Sequence, residues 1–176
     1  MNFILSQIFV LLGIVFIILS LWSRDKQKIL IFCLISSVMF ALQYFFLNAL
    51  EGVVINALGI LRAIWFFIYD KKEKPIPLYP LIILIVLFAI ATIFTYESIF
   101  CLAPFIAASV LTYSVWDHRV LIYKFCAIPI SICWIIYNVY VGSVFGYISD
   151  SVLLIIEISA LIEYIIRMNR YKKLHK

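Results

Sequence analysis

The sequence predicts an all-α, polytopic membrane protein whose seven transmembrane helices form two parallel three-helix repeats joined by a linker helix. The first observation is composition: of the 176 residues, 66% are hydrophobic and only 13% are charged, and the mean hydropathy is +1.16. Such a chain has too little polar material to cover the surface of a soluble domain. The second observation is the length of its hydrophobic runs, and the third is the distribution of Lys and Arg around them.

Seven hydrophobic runs are long enough to cross the hydrocarbon core of a bilayer, which takes about 20 residues. Backbone polar groups in lipid must find partners within their own segment, so we expect each run to be an α-helix. In order, the runs cover residues 3–22, 29–47, 53–69, 78–96, 99–116, 120–141 and 147–168. Only Glu97 and Ser98 separate the fourth run from the fifth, so a six-helix count that merges them is the alternative.

The basic residues favour seven helices and orient them. Thirteen of the fourteen Lys and Arg residues follow the first, third, fifth or seventh run, and Arg62 inside the third run is the exception. Short loops rich in Lys and Arg stay in the cytoplasm, so this alternation requires an odd number of spans, with the N-terminus outside and the C-terminus cytoplasmic. The net charge of +5 is explained by this topology and by contact with anionic lipid, so nucleic acid is not an expected partner.

The second half of the chain repeats landmarks of the first at an interval of 94 residues. Trp22 and Trp116 end the first and fifth runs, and Gly52 and Gly146 close the loops after the second and sixth. These coincidences indicate a duplicated three-helix unit with the same orientation in both copies, as in parallel repeats whose axis lies along the membrane normal. The predicted divisions are repeat 1 (1–70), the linker helix (71–97), repeat 2 (98–168) and a basic cytoplasmic tail (169–176).

A short motif in the second half resembles that of a known family. Segment 133–138 (CWIIYN), followed by 142–146 (GSVFG), is similar to the C-terminal signature of the YgjV family of bacterial inner-membrane proteins. Arg24, Asp25 and Arg62 also fall where that family carries similar residues. The resemblance covers most of the chain and implies a multi-pass protein of the bacterial cytoplasmic (inner) membrane.

The three-plus-one-plus-three helix plan is similar to that of the SWEET sugar transporters and the wider PQ-loop group, including the nicotinamide riboside transporters. The chain lacks the Pro-Gln signature of the PQ-loop group and the matched prolines of SWEETs. In SWEET-like proteins an Asn pair on helices 3 and 7 lines the substrate pocket. The resemblance therefore implies Asn56 and Asp150, which match each other across the repeat, as candidate substrate-binding residues. Tyr44 and Asn138, also 94 residues apart, join them; helix–helix hydrogen bonding is the alternative role.

Arg62 and Glu157 are ionisable residues at membrane depth, about 15 Å along the third and seventh helices. Charged groups there are costly and usually face the interior of the bundle. We expect a buried ion pair between Arg62 and Glu157 that joins the two repeats, either as a structural contact or as a switch. Ala63, and not Arg62, is the repeat partner of Glu157, so the Arg62 stem must swing back by about 100° to reach it.

These features favour a SWEET-like transporter of a small polar solute, with its site between the repeats. The alternative is a non-transporting membrane receptor or an assembly or structural protein with a static polar core. No enzyme motif, cofactor site or metal site is predicted, because the chain has no HExxH, no Gly-rich phosphate loop and no Ser/His/Asp set at one depth. Membrane lipid, a small polar solute and a second copy of the chain are the candidate partners.

Overall fold

The computed structural model describes residues 2–71, 76–117 and 119–174, and within them the chain is helical, without β-strands. A 3-10 turn, Ile99–Cys101, precedes the fifth helix. The seven α-helices are α1 (Asn2–Trp22), α2 (Lys26–Phe46), α3 (Leu50–Lys71), α4 (Leu78–Phe94), α5 (Leu102–Trp116), α6 (Val120–Val141) and α7 (Val144–Leu174).

Helix ends follow the hydrophobic runs closely. Helices α2, α3 and α7 each begin three residues before their runs. At α2 the Asp25 side chain accepts a bond from the Gln27 backbone N–H at 3.0 Å and thereby caps the helix. Between α4 and α5 the Ser98 hydroxyl accepts from Phe100 N at 3.2 Å. That turn keeps α4 and α5 apart, so the merged helix of the six-helix count does not form.

Among the described residues, five helical segments are long and apolar enough to span a membrane: α1, α2, α3, α6 and the continuous segment formed by the 3-10 turn and α5. Helix α4 is apolar but, at 17 residues, shorter. Large apolar side chains cover the outside of the bundle, among them Ile4, Leu11, Val86 and Ile155. A surface of this kind suits lipid and not water.

Six of the helices pack in a closed ring. Helix α2 lies between α1 and α3, and α6 lies between α5 and α7. The two triplets meet along two seams, one between α1 and α7 and the other between α3 and α5. Helix α4 packs against α3 and α5 and so lies beside the second seam. The interior of the ring is the place where all six helices can present side chains to one another.

The two ends of the bundle differ in charge. The end with the α1–α2 and α5–α6 loops, called the basic end below, carries Arg24, Lys28 and Arg119. Asp117 accepts two bonds from the Arg119 guanidinium, at 3.0 and 2.9 Å, and this carboxylate raises the pKa of Arg119. The opposite, non-basic end comprises segments 47–52, 95–101 and 142–146, which contain no Lys or Arg.

Some sequence predictions fall differently in the structure, and others fall outside it. Pro104 lies in the first turn of α5, where a missing N–H has no cost. The predicted basic tail, 169–176, begins as part of α7, which continues to Leu174. Outside the described residues are Lys72, Lys74, Pro75, His118, His175 and Lys176.

Candidate functional site

A cavity of about 80 Å³, lined by both apolar and polar side chains, lies inside the ring, between α1–α3 on one side and α5–α7 on the other. All six ring helices contribute to its wall, and α4 does not. Its polar lining residues are Ser36, Ser37, Gln43, Tyr44, Asn56, Arg62, Ser131, Asn138, Asp150 and Glu157. One interior space therefore collects polar side chains from four of the helices.

The six residues that the sequence singled out all line this cavity, and each is at most 7% exposed. The four substrate-binding candidates are Tyr44 on α2, Asn56 on α3, Asn138 on α6 and Asp150 on α7. Arg62 and Glu157 lie in the same wall, on α3 and α7. The structure thus brings these residues together, and their roles stay predictions.

A chain of hydrogen bonds links three of the four substrate-binding candidates. The Tyr44 hydroxyl donates to Asn138 Oδ1 at 3.0 Å, and Asn138 Nδ2 donates to Asp150 Oδ2 at 2.7 Å. Asn138 is thereby fixed between a donor and an acceptor, which defines the orientation of its amide. Asn56 instead donates to the Gly52 carbonyl of its own helix at 2.8 Å. This series of hydrogen bonds connects α2 through α6 to α7. Asn56 lines the same cavity, but its bond is to its own helix.

Arg62 and Glu157 are not in contact in this arrangement. The ion pairs among the described residues are Arg119–Asp117 and Arg167–Glu163, both outside the cavity. Arg62 Nη1 instead donates to the Thr112 hydroxyl of α5 at 3.4 Å. The one-residue offset from the repeat position explains this, because it turns Arg62 by about 100° toward α5. Their ion pair stays a prediction that this arrangement does not contain.

Two buried acceptors in the cavity wall have no hydrogen-bond donor. They are Glu157 Oε2 and Gln43 Oε1, on side chains that are 3% and 1% exposed. The other side of each group is occupied, since Ser131 lies against the Glu157 carboxyl and Gln43 Nε2 donates to Ser143 Oγ at 3.4 Å. A buried acceptor without a donor costs about 1–3 kcal/mol. The cavity wall therefore contains two buried oxygens that lack donors in this arrangement.

Two glycines make room for the hydrogen-bonded chain. A Cβ at Gly52 would lie 2.4 Å from the Tyr44 ring, and one at Gly146 would lie 2.8 Å from the Asn138 amide. Any larger residue would displace Tyr44 or Asn138. The loop glycines that marked the sequence repeat thus have the same packing role at both sites.

Toward the basic end, a second set of contacts closes the space between the triplets. The Tyr123 hydroxyl of α6 lies 2.6 Å from Ser20 Oγ of α1 and 3.5 Å from Cys33 Sγ of α2. The neighbouring Lys124 ammonium donates to the Leu21 carbonyl. These contacts were not predicted from the sequence: an aromatic residue near a helix end is typical of an interfacial belt, and Lys124 was counted with the basic residues that follow the fifth run although it is buried in α6.

A larger second cavity, of about 400 Å³, lies at the non-basic end. Its wall includes two carboxylates and four aromatic side chains, which are Glu51, Glu97, Phe94, Tyr96, Tyr137 and Tyr140. Tyr137 is fixed there because the Gly52 backbone N–H donates to its hydroxyl at 3.2 Å. The sequence treated Glu51 and Glu97 only as markers of the non-basic side and did not predict this cavity.

No curated protein and no solved structure matches the chain significantly. A family model described as Imp-YgjV, bacterial inner membrane protein, matches residues 4–170. This match extends over nearly the whole chain and confirms the resemblance based on the 133–146 region. The chain therefore belongs to the Imp-YgjV family of bacterial inner membrane proteins.

Proposed function

We propose that this integral inner-membrane protein is a transporter of a small polar solute, with a SWEET-like plan of two similar triplets joined by α4, and not an enzyme. The observation that carries the proposal is the interior cavity, which all six ring helices line and whose wall holds two buried acceptors without donors. A static polar core would be expected to satisfy its own hydrogen bonds. Acceptors left without donors beside a cavity are better suited to a site that rearranges around a ligand.

Helix positions support a repeat. Helices α1 and α5 end 94 residues apart, at Trp22 and Trp116. Helices α2 and α6 begin 94 residues apart, as do α3 and α7. The two seams, α1 with α7 and α5 with α3, also exchange with each other when the triplets are exchanged. This is the pattern of two triplets related by an axis along the membrane normal.

The Tyr44–Asn138 bond would then lie at the repeat axis. The two residues are 94 positions apart and touch each other, and equivalent residues of two repeats meet only close to the axis that relates them. Side chains near the axis separate when the triplets rock apart. Tyr44 and Asn138 are therefore placed where relative motion of the triplets would open or close a path.

Contacts between the triplets lie on both sides of the cavity. Toward the non-basic end Tyr44 and Tyr137 meet with ring centroids 5.7 Å apart, and toward the basic end Tyr123 bonds to Ser20. Alternating access requires two such barriers around one site. A neutral hydrogen bond contributes about 1 kcal/mol, so the few bonds at each end are weak enough to break during transport.

The size of the cavity limits the solute in this arrangement. A cavity needs at least about 10–15 Å³ to hold one buried water, so a cavity of about 80 Å³ has room for several. A small solute, or the polar head of a larger one, fits this space. The arrangement is consistent with an occluded state, from which either end would widen on opening.

Uptake into liposomes tests this function. The purified protein is reconstituted into liposomes that are loaded with unlabelled sugars, nucleosides, amines or amino acids. Exchange with the labelled solute outside is then measured. We expect exchange of one class, lost in Asn138→Leu and retained in Ser159→Ala, which changes an exposed residue of α7. If no class exchanges faster than in empty liposomes, the non-transporting alternative is favoured.

A further inference from the structure

We propose that the cavity at the non-basic end is a binding site for small organic ammonium ions. It differs from the interior cavity in size, in lining and in its carboxylates. The ligand class follows from three features of its wall: a buried carboxylate without nitrogen or oxygen donors, a set of aromatic side chains, and the lack of basic residues in the surrounding loops.

The buried carboxylate belongs to Glu51, in the first turn of α3. This side chain is 4% exposed, and neither of its oxygens has a nitrogen or oxygen donor among the described residues. The Cys101 thiol, a weak donor, is its neighbour. Burying a carboxylate without a strong donor or a cation is costly. A cation in the cavity would remove that cost.

The field at this end also favours cations. Glu97 provides a second, exposed carboxylate in the same wall. Segments 47–52, 95–101 and 142–146 contain no Lys or Arg to offset the two. A concave surface lined by one sign of charge concentrates ions of the opposite sign.

The aromatic wall distinguishes an organic ammonium ion from a metal ion. Phe94, Tyr96, Tyr137 and Tyr140 line the cavity, and the Tyr140 ring is held by stacking on Phe100 at 5.2 Å between centroids. Aromatic side chains around a carboxylate are the usual environment of alkylated ammonium groups. Ca²⁺ takes 6–8 oxygen ligands, and no group of three or more His, Cys, Asp or Glu residues suited to a metal occurs among the described residues.

The position of the site links it to the interior cavity. Tyr137 lines the cavity at the non-basic end, and Tyr44 lines the interior cavity. The rings of these two residues pack against each other. An ammonium ion leaving Glu51 would next meet Asp150 and the open oxygen of Glu157. This onward path depends on the proposed transport function, whereas binding at Glu51 does not.

Binding to the purified full chain in nanodiscs tests the site. The probes for isothermal titration calorimetry are choline and its uncharged analogue, in which a tert-butyl group replaces the trimethylammonium group. We expect choline to bind and the analogue to bind at least about tenfold more weakly, because only choline carries the charge that Glu51 and the aromatic rings attract. Equal binding of the two, or no binding of choline, overturns the proposal. This comparison uses the unmodified chain and so does not depend on how a variant folds.

Variants locate the site. Glu51→Gln and Tyr140→Leu should each weaken choline binding at least about fivefold. Glu163→Gln, which removes an exposed carboxylate at the other end of the bundle, is the matched control and should leave binding unchanged. If Glu51→Gln binds choline as well as the unmodified chain, the site is not at Glu51. Choline binding without exchange in liposomes would contradict the transport function and leave this site standing.

Discussion

The Tyr44 hydroxyl donates to Asn138 Oδ1 at 3.0 Å, which joins α2 to α6 at positions 94 residues apart. The same interval separates Trp22 from Trp116 and Gly52 from Gly146. Both side chains are 2% exposed, so the bond is made without competition from bulk solvent. It is one of the direct bonds between the two triplets, and the first prediction concerns it.

Removing this bond should reveal a coupling between the two residues. We expect Tyr44→Phe and Asn138→Leu each to lower the free energy of unfolding. The double variant should lose about 1 kcal/mol less than the sum of the two single losses, because both single variants remove the same bond. Unfolding in detergent with increasing SDS measures these differences. Tyr44→Phe combined with Ser159→Ala is the control pair and should be additive. Additivity of the Tyr44 and Asn138 variants would mean that the bond contributes nothing.

The described arrangement predicts that Arg62 and Glu157 act independently. Arg62 donates to Thr112, so the costs of Arg62→Gln and Glu157→Gln should add within about 0.5 kcal/mol. The ion pair suggested by the sequence predicts instead that Arg62→Gln rescues Glu157→Gln. Measuring the amount of folded protein in the membrane for both single variants and the double variant distinguishes the two. Rescue would reveal a conformation in which the charges meet.

Gly52 should tolerate a side chain only when Tyr44 is made smaller. Gly52→Ala places a Cβ within 2.4 Å of the Tyr44 ring, and overpacking of this kind costs about 1–3 kcal/mol. In a Tyr44→Ala background the same change should cost much less, as judged by thermal unfolding. Gly142→Ala is the contrasting control, because its cost comes from φ +73 at the end of α6, with no atom near the new Cβ. Tyr44→Ala should therefore not rescue Gly142→Ala, and equal rescue of both would contradict the packing explanation.

The charge distribution predicts where the ends of the bundle lie. We expect a C-terminal green fluorescent protein fusion to be fluorescent and a C-terminal alkaline phosphatase fusion to be inactive, because the basic end should be cytoplasmic. Insertion of the phosphatase after Asn48, at the non-basic end, should give activity. Replacing Arg24 and Lys28 by Gln should weaken this preference. An active phosphatase at the C-terminus would contradict the predicted orientation.

Hydropathy predicted the helices well because a membrane chain must satisfy its backbone locally, so that each apolar run becomes one helix. The limits of α6 agree with its run at both ends, 120–141. The starts of α2, α3 and α7 were missed by three residues. At α2 the reason is capping, because Asp25 extends the helix into polar sequence.

The repeat interval brought Tyr44, Asn138 and Asp150 forward as candidates before any contact was known. The repeat interval could not predict contacts that depend on how the helices pack against one another. The pairing of Arg62 with Glu157 was inferred from their common depth, with the 100° offset already noted, and it stays a prediction. In this structure Arg62 donates to Thr112. Tyr137, near a helix end, has the position typical of an interfacial belt, and only the three-dimensional position of Glu51 beside it and Tyr140 indicates a cavity.

The position of α4 makes the two boundaries between the triplets mechanically unequal. A helix backs the boundary between α3 and α5, whereas α1 and α7 meet without one. Rotation of one triplet against the other would therefore be centred on the backed side, and displacements would grow toward α1 and α7. In the proposed transport cycle the two triplets would then move like a hinge. The hinge would open at a single edge, between α1 and α7, on the side that would face the acyl chains.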